Sequence, residues 1–173
     1  MLTLSLLRHG KSSWDDLELN DHERALAPRG IKAARDIGKF LAEQKLKPNL
    51  ILCSGAVRTR ATLALILPEL GAAGIDIRYD DSLYLAHPAT MLEIVRKTGA
   101  GPRHVMVIGH NPGTHALALE LTGDGDRKLV AELATKFPTA ALAVLSFDAA
   151  GWGEIKAGAG HLEVFMTPRG LRD

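Results

Sequence analysis

Apolar runs alternate along this chain with stretches of helical period. The first run, Leu2–Leu7, is interrupted only by Thr3 and Ser5 and predicts a buried strand. The polar stretch Asp15–Pro28 predicts a loop lying over a sheet end. Arg29–Gln44 carries apolar side chains at Ile31, Ala34, Ile37, Phe40 and Leu41, the spacing of an amphipathic helix. Leu50–Cys53 predicts a short strand. Ala56–Leu67 predicts a helix with Leu63, Ile66 and Leu67 on one side, ended or kinked by Pro68. Ile75–Tyr79 reads as a strand and Thr90–Lys97 as a helix. The nearly all-apolar segment His104–Ile108 has the composition of a strand buried on both faces. Pro112–Leu121 predicts a further helix. Ala140–Phe147 and Glu154–Phe165 predict two final strands, an antiparallel pair at one edge. This alternation predicts an α/β fold, a three-layer sandwich with a mostly parallel central sheet and helices on both faces.

Composition narrows the class. A length of 173 residues suits one domain, residues 1–173, and 46% hydrophobic residues supply a core for it. The 21 basic and 20 acidic residues leave a net charge of +1. Without a general positive field no nucleic-acid or membrane partner is expected, and any anion site must be local. Cys53 is the only cysteine, which excludes an intramolecular disulfide and a multi-cysteine zinc site and suits a small buried hydrophobe. No basic segment followed by an apolar core marks a signal peptide, and no apolar run has the roughly 18 residues of a membrane span. A cytoplasmic location is expected.

Candidate chemistry sits where apolar runs stop. Arg8-His9-Gly10 follows the first strand directly. Open α/β sheets place ligands at the carboxyl ends of their strands. A neutral imidazole held through its other nitrogen is a good nucleophile toward phosphorus, a guanidinium orients phosphoryl oxygens, and glycine lets the chain turn close to a bound group. As an isolated triplet, the same residues also fit a surface arginine and an ordinary loop histidine. The arrangement recurs at Gly109-His110-Asn111-Pro112, after the second buried strand, with Asn111 placed to cap the next helix and Pro112 to begin it. If the two strands are parallel neighbours, His9 and His110 meet. After Leu50–Cys53 come Ser54, Arg58 and Arg60. The two arginines lie about 200° apart on a helix, so only one faces the sheet end, and Arg58 is nearer. Ser54 is read as a helix cap and Arg60 as a solvated charge.

Together these three segments resemble the histidine phosphatase (phosphoglycerate mutase-like) superfamily. Its strand-RHG signature corresponds to Arg8-His9-Gly10, its S-x-x-x-R segment to Ser54–Arg58 and its second-histidine segment to Gly109-His110. The resemblance runs from Leu2 to about Phe165. The short chain, with Lys11-Ser12-Ser13-Trp14, Asp80–Tyr84 and Lys136-Phe137-Pro138-Thr139, is most similar to the SixA-type phosphohistidine phosphatase branch. The resemblance implies a phosphoglycerate mutase-like fold, His9 as nucleophile through a covalent phosphohistidine, and Arg8, Arg58 and His110 binding the phosphoryl oxygens. It implies no cofactor and no metal. Where larger members carry a carboxylic general acid, this chain has Leu85, with Asp81 and His87 as candidate stand-ins. A missing acid favours a substrate whose leaving group is easily protonated, and so a phosphohistidine-bearing protein over a small phosphorylated ester. The alternatives are a small-molecule phosphomonoesterase with the same core and a non-catalytic phosphate-binding relative.

Other residues carry weaker signals. Lys11, Arg24 and Arg29 are read as part of a mixed surface because Asp15, Asp16, Asp21 and Glu23 are interspersed with them. Trp14 fits equally a place at the mouth of the site and simple loop packing. His22, His104, His115 and His161 read as structural or surface residues. Asp124-Gly125-Asp126 reads as a turn.

Overall fold

The computed structural model describes residues 1–173. Its centre is a seven-stranded sheet. The strands are β1 (Leu2–Arg8), β2 (Leu50–Cys53), β3 (Asp76–Tyr79), β4 (His104–Gly109), β5 (Thr122–Gly125), β6 (Leu142–Phe147) and β7 (Gly160–Met166). They lie in the order β3-β2-β4-β1-β6-β7-β5. The helices are α1 (Pro28–Glu43), α2 (Val57–Leu70), α3 (Pro88–Arg96), α4 (Gly113–Leu121), α5 (Arg127–Thr135) and α6 (Pro168–Arg172).

Alternation along the buried strands divides the core between two faces. Leu4, Leu6, Leu52, Val105, Val107 and Leu145 point to one face, under α3, α4 and α5. Leu7, Ile51, Cys53, Met106, Ile108 and Val144 point to the other, under α1 and α2. This is the expected three-layer α/β architecture. Cys53 is fully buried in the second core, where burial pushes its thiol pKa up to about 12.

Register explains the site. β1 and β4 are parallel, with Arg8 opposite Gly109, and β2 and β4 are parallel, with Cys53 opposite Ile108. The chain therefore leaves all three strands at one level. His9 N–H donates to Gly109 O (3.2 Å) and Ser54 N–H to Ile108 O (3.1 Å) before the loops diverge.

Several elements differ from the sequence reading. The final antiparallel strands are not at the edge. β6 pairs with β1 and β7, and β5 runs parallel to β7 outside them. The Asp124-Gly125-Asp126 segment is not simply a turn. It ends β5, and Asp126 caps α5 by accepting from Lys128 N and Leu129 N. Residues 154–159 precede β7 instead of opening it, and Trp152–Glu154 is a 3-10 turn. Pro68 does not end α2 but lies inside it, and the helix continues to Leu70. A helix of five residues, α6, follows β7 and packs on α1. No helix is long and apolar enough to cross a membrane.

Candidate active site

Arg8, His9, Arg58 and His110 converge on one cavity of about 210 Å³ at the carboxyl end of the parallel strands. The two imidazole centroids are 5.3 Å apart. His9, Arg58 and His110 are all buried, at 6%, 4% and 2% exposure. Lys11, Ser12, Trp14, Arg24, Leu85, Asn111 and Thr139 complete the lining. The cationic side chains of Arg8, Lys11, Arg24 and Arg58 thus surround a space into which no carboxylate projects.

His9 is held through its backbone-facing nitrogen. Its Nδ1 lies 2.7 Å from Gly10 O. A carbonyl oxygen only accepts, so the ring proton sits on Nδ1 and Nε2 carries the lone pair. Arg58 Nε donates to that Nε2 at 3.4 Å. Burial lowers the His9 pKa to about 4, assisted by the charges of Arg58, Arg8 and Arg24 and opposed by the Gly10 hydrogen bond. The ring is neutral at pH 7.

The loop carrying His9 is fixed by backbone and by buried hydroxyls. Gly10 N–H donates to Thr62 Oγ1 (3.0 Å), whose hydroxyl donates to Arg58 O (2.8 Å). One threonine therefore ties the nucleophile loop to the helix that presents Arg58. A Cβ on Gly10 would stand 2.7 Å from Gly30 O, and one on Gly30 would stand 2.2 Å from Lys11 O. The first turn of α1 and the loop after β1 meet backbone to backbone, which only glycine at both positions allows.

His110 is held differently. Its Nε2 lies 2.7 Å from Ser54 Oγ, and its Nδ1 has no partner within the protein. Burial lowers its pKa to about 3, and His9, Arg58 and Arg8 contribute further. Ser54 was expected to cap α2. The cap position belongs instead to Ala56, which has no side-chain cap bond, while Ser54 is fully buried against His110. Asn111 was expected to cap α4. That helix begins at Gly113 after Pro112, and Asn111 Nδ2 donates instead to Phe137 O (2.8 Å). Phe137 O also accepts from Arg8 Nη1 (3.1 Å). Buried polar atoms are rarely left unpaired. Here Arg8 Nε, His110 Nδ1 and Asn111 Oδ1 are, and all three belong to residues lining the one cavity. Two of them suit the oxygens of an anion.

Asp21 and Arg24 carry more weight than the sequence suggested. Asp21 lies in the 3-10 turn Asp21–Glu23. Its backbone oxygen accepts from Arg58 Nη1 (2.7 Å) and its Oδ2 from Arg58 Nη2 (2.9 Å). The Tyr84 hydroxyl donates to the same Oδ2. Tyr84, Arg58 and Arg24 hold the Asp21 carboxyl well below the usual carboxylate range. Arg24 is not part of a mixed surface. It is 7% exposed, bonds Asp21 Oδ1 (2.9 Å), Ser13 O (3.1 Å) and Ser12 Oγ, and lies 3.2 Å from the Trp14 ring centroid. Trp14 does both things expected of it, packing the loop through Arg24 and lining the mouth. Charge alternation in a polar loop could not reveal this network, because its partners come from α2 and from Tyr84.

Asp81 is not among the lining residues. Its side chain is 88% exposed, 4.0 Å from His22, with Oδ1 beside the Gly55 backbone. His87 caps α3, its Nδ1 accepting from Ala89 N. Leu85 stands at the mouth, 51% exposed. His104 Nε2 bonds the buried Ser5 hydroxyl at 2.7 Å, and burial lowers its pKa to about 4.

Comparison with known proteins agrees with this geometry. The profile of the histidine phosphatase superfamily (branch 1) matches residues 4–84. An uncharacterised Mycobacterium tuberculosis protein is 39% identical over 167 residues, covering 94% of this chain and 100% of that one. Two solved structures of candidate phosphohistidine phosphatases SixA are similar throughout. The Agrobacterium tumefaciens protein has a TM-score of 0.81 at 32% identity, with 96% of this chain and 98% of that chain covered. The Nakamurella multipartitia protein has a TM-score of 0.83 at 29% identity, with 96% of each chain covered. The chain belongs to the histidine phosphatase superfamily. Its fold is the α/β fold of phosphoglycerate mutase-like histidine phosphatases, and its structural neighbours include SixA proteins.

Proposed function

We propose that this protein is a phosphatase that removes phosphoryl groups from protein phosphohistidine through a covalent intermediate on His9. The observation that carries the reading is the tautomer of His9. With Nδ1–H committed to Gly10 O, the nucleophilic lone pair lies on Nε2, inside a ring of cations.

In this reading the His9 Nε2 lone pair forms a bond to phosphorus as the bond to the substrate's imidazole nitrogen breaks. The leaving imidazole takes up a proton. Arg8 Nε and His110 Nδ1 donate to equatorial oxygens, and Arg58 Nε passes its hydrogen bond from Nε2 to the third as the phosphoryl group enters, which frees the lone pair for attack. Such donors act where charge develops and need little rearrangement. Asp21 keeps the far side of Arg58 fixed and so aims Nε. Water then attacks phosphorus, the bond to Nε2 breaks, and phosphate leaves with His9 neutral again. The charge neutralisation that a metal ion would supply comes here from the guanidinium groups.

The leaving group is the basis for a P–N substrate. An alkoxide needs a general acid, and no carboxylic acid lines the cavity. An imidazole is protonated readily near neutral pH. Asp81, exposed beside Gly55 and outside the cavity lining, has no part in this scheme. The same cavity would serve a small phosphoester poorly, which separates this reading from a phosphomonoesterase.

The test is phosphate release from a phosphohistidine peptide and from a phosphoserine peptide, with His9→Ala as blank. Release from the first alone, absent in the variant and accompanied by a base-stable, acid-labile phosphoenzyme, is expected. Faster release from the phosphoester would overturn the substrate assignment, and undiminished release by His9→Ala would overturn the nucleophile.

A further inference from the structure

A second depression, of about 360 Å³, adjoins the catalytic cavity and shares Lys11 and Thr139 with it. Its cations are Lys11, Arg29, Lys32, Lys136, Arg169 and Arg172, and its only carboxylate is Asp36. Asp36 is engaged by Lys32 at 2.5 Å, and none of the other five cations forms a salt bridge. In a chain whose net charge is only +1, this is a strong local segregation. The cations come from the loop after β1, from α1, from the segment before β6 and from α6. Long-range sequence positions have thus been gathered on one side of the mouth.

We propose that this groove docks the acidic flank of the phosphorylated protein, a partner whose surface carries several carboxylates beside its phosphorylated histidine. The proposal rests on the phosphohistidine reading above and adds how the protein bearing that group is recognised. The character of the groove favours carboxylates spread over a face. Its unpaired cations are all exposed, on long flexible stems, and no buried donor converges on a single point as Arg8 and His110 do in the catalytic cavity. Dispersed charges of this kind steer and orient an extended partner and are a poor cradle for one phosphate. Across the mouth, Trp14 and Leu85 are exposed at 62% and 51%, an apolar rim that a protein surface can cover and a free polyanion cannot use. A phosphoryl group seated at His9 therefore carries its flank onto Lys11 and beyond toward α6.

The experiment uses the full chain and the double charge reversal Arg169→Glu/Arg172→Glu, which replaces no residue lining the catalytic cavity. Three substrates are compared at low and moderate salt: free phosphohistidine, a phosphohistidine peptide flanked by glutamates, and the same peptide flanked by glutamines. For the wild type, kcat/KM on the glutamate peptide is expected to exceed that on the glutamine peptide by about tenfold at low salt, through KM, with the advantage shrinking as salt rises. The double variant loses that advantage and keeps its rate on free phosphohistidine. Equal rates on the two peptides, or equal losses by the variant on all three substrates, overturn the proposal. Direct binding of the unphosphorylated glutamate peptide, followed by Trp14 fluorescence or calorimetry, separates the two assignments. If no P–N substrate turns over, but this peptide still binds the wild type and not the variant, the docking surface stands and the substrate assignment fails. If inorganic polyphosphate displaces nothing while the glutamate peptide binds, the carboxylate assignment holds. If polyphosphate alone binds, it falls.

Discussion

The loops after β1 and β4 are written in nearly the same way, a buried strand followed by histidine and a glycine beside it, yet they hold their imidazoles by opposite nitrogens. His9 gives Nδ1 to a backbone carbonyl and keeps Nε2 for the cavity. His110 gives Nε2 to the Ser54 hydroxyl and leaves Nδ1 unpartnered. A carbonyl fixes the tautomer, because it can only accept. A hydroxyl can donate or accept, so His110 can present a proton to a phosphoryl oxygen, or take one up, as the anion requires. In the proposed mechanism this difference separates a nucleophile from an anion binder, and it is not visible in the residues next to either histidine.

The largest effect should come from removing each ring in turn. His9→Ala should lower kcat by roughly 10⁴-fold or more and abolish the phosphoenzyme, as loss of a covalent nucleophile does. His110→Ala should lower kcat by about 10²–10³-fold, the cost of one donor to developing charge, while rapid quenching still traps phosphate on His9. A phosphoenzyme in His9→Ala, or none in His110→Ala over long incubation, would reverse the two roles.

The comparison sharpens at Ser54. Ser54→Ala should leave His9 untouched and free His110 Nε2, costing about tenfold in kcat, the order expected when the hydrogen bond that orients a site imidazole is lost. Ser54→Thr, which keeps the hydroxyl, should recover part of the loss. Equal rates for alanine and wild type would mean that burial alone orients the ring.

How far these roles could be read from the chain depends on where the partner sits. Strands β1 and β4 are legible because burial on both faces demands uninterrupted apolar runs, and their parallel pairing brings the two histidines together as expected. The four residues Arg8, His9, Arg58 and His110 meet for the same reason. Ser54 was legible as a polar residue at a strand end, and misread as a cap because capping is a local pattern while its true partner is 56 positions away. Asp21 was hidden in the same way, since a polar loop shows no period and its contacts with Arg58 and Tyr84 are long-range, while Arg24 was hidden because its bonds to Ser12, Ser13 and Asp21 depend on how the loop folds back on itself. β5 was missed because Thr-Gly-Asp-Gly has no apolar side chain to pattern, and its pairing with β7 rests on backbone and on the Asp124–His161 side-chain bond (2.8 Å), 37 positions apart. Leu85 was the most informative negative: the sequence located a missing acid, and the cavity lining contains no carboxylate to replace it.

Proton binding tests the comparison without turnover. Burial lowers both rings, His9 to about 4 and His110 to about 3, from an ordinary value of 6.5. A lowered histidine pKa means the folded protein binds its proton less readily than the unfolded chain. The stability this neutral burial preserves is fully present above about 6.5 and is lost as pH falls from there through about 4. A ¹⁵N-detected titration should therefore show both rings neutral at pH 6. Adding inorganic phosphate should raise the His110 midpoint more than that of His9, because the orphan Nδ1 gains an acceptor while His9 Nδ1 already has one. An ordinary midpoint near 6.5 for either ring would remove the burial argument.

The smallest effect belongs to a position chosen to leave both histidines alone. α1 ends at Glu43 and is capped by Gln44, followed by Lys45 at φ 57°, with Lys45 N–H donating to Ala42 O (3.1 Å) and Leu46 N–H to Leu41 O (2.8 Å). This paired closure favours glycine at the left-handed position, and a lysine there bears the steric cost of its Cβ. Lys45→Gly should raise stability by up to about 1 kcal/mol, part of the gain being offset by the greater freedom of glycine in the unfolded chain, with kcat unchanged. The measurement is a denaturant midpoint beside a rate. Its value lies in what it separates: if this variant shifts the midpoint but not the rate, the losses in His9→Ala and His110→Ala cannot be put down to stability. If kcat moves with the midpoint, the two loops are coupled to global stability, and the difference between them must be measured in variants of matched stability.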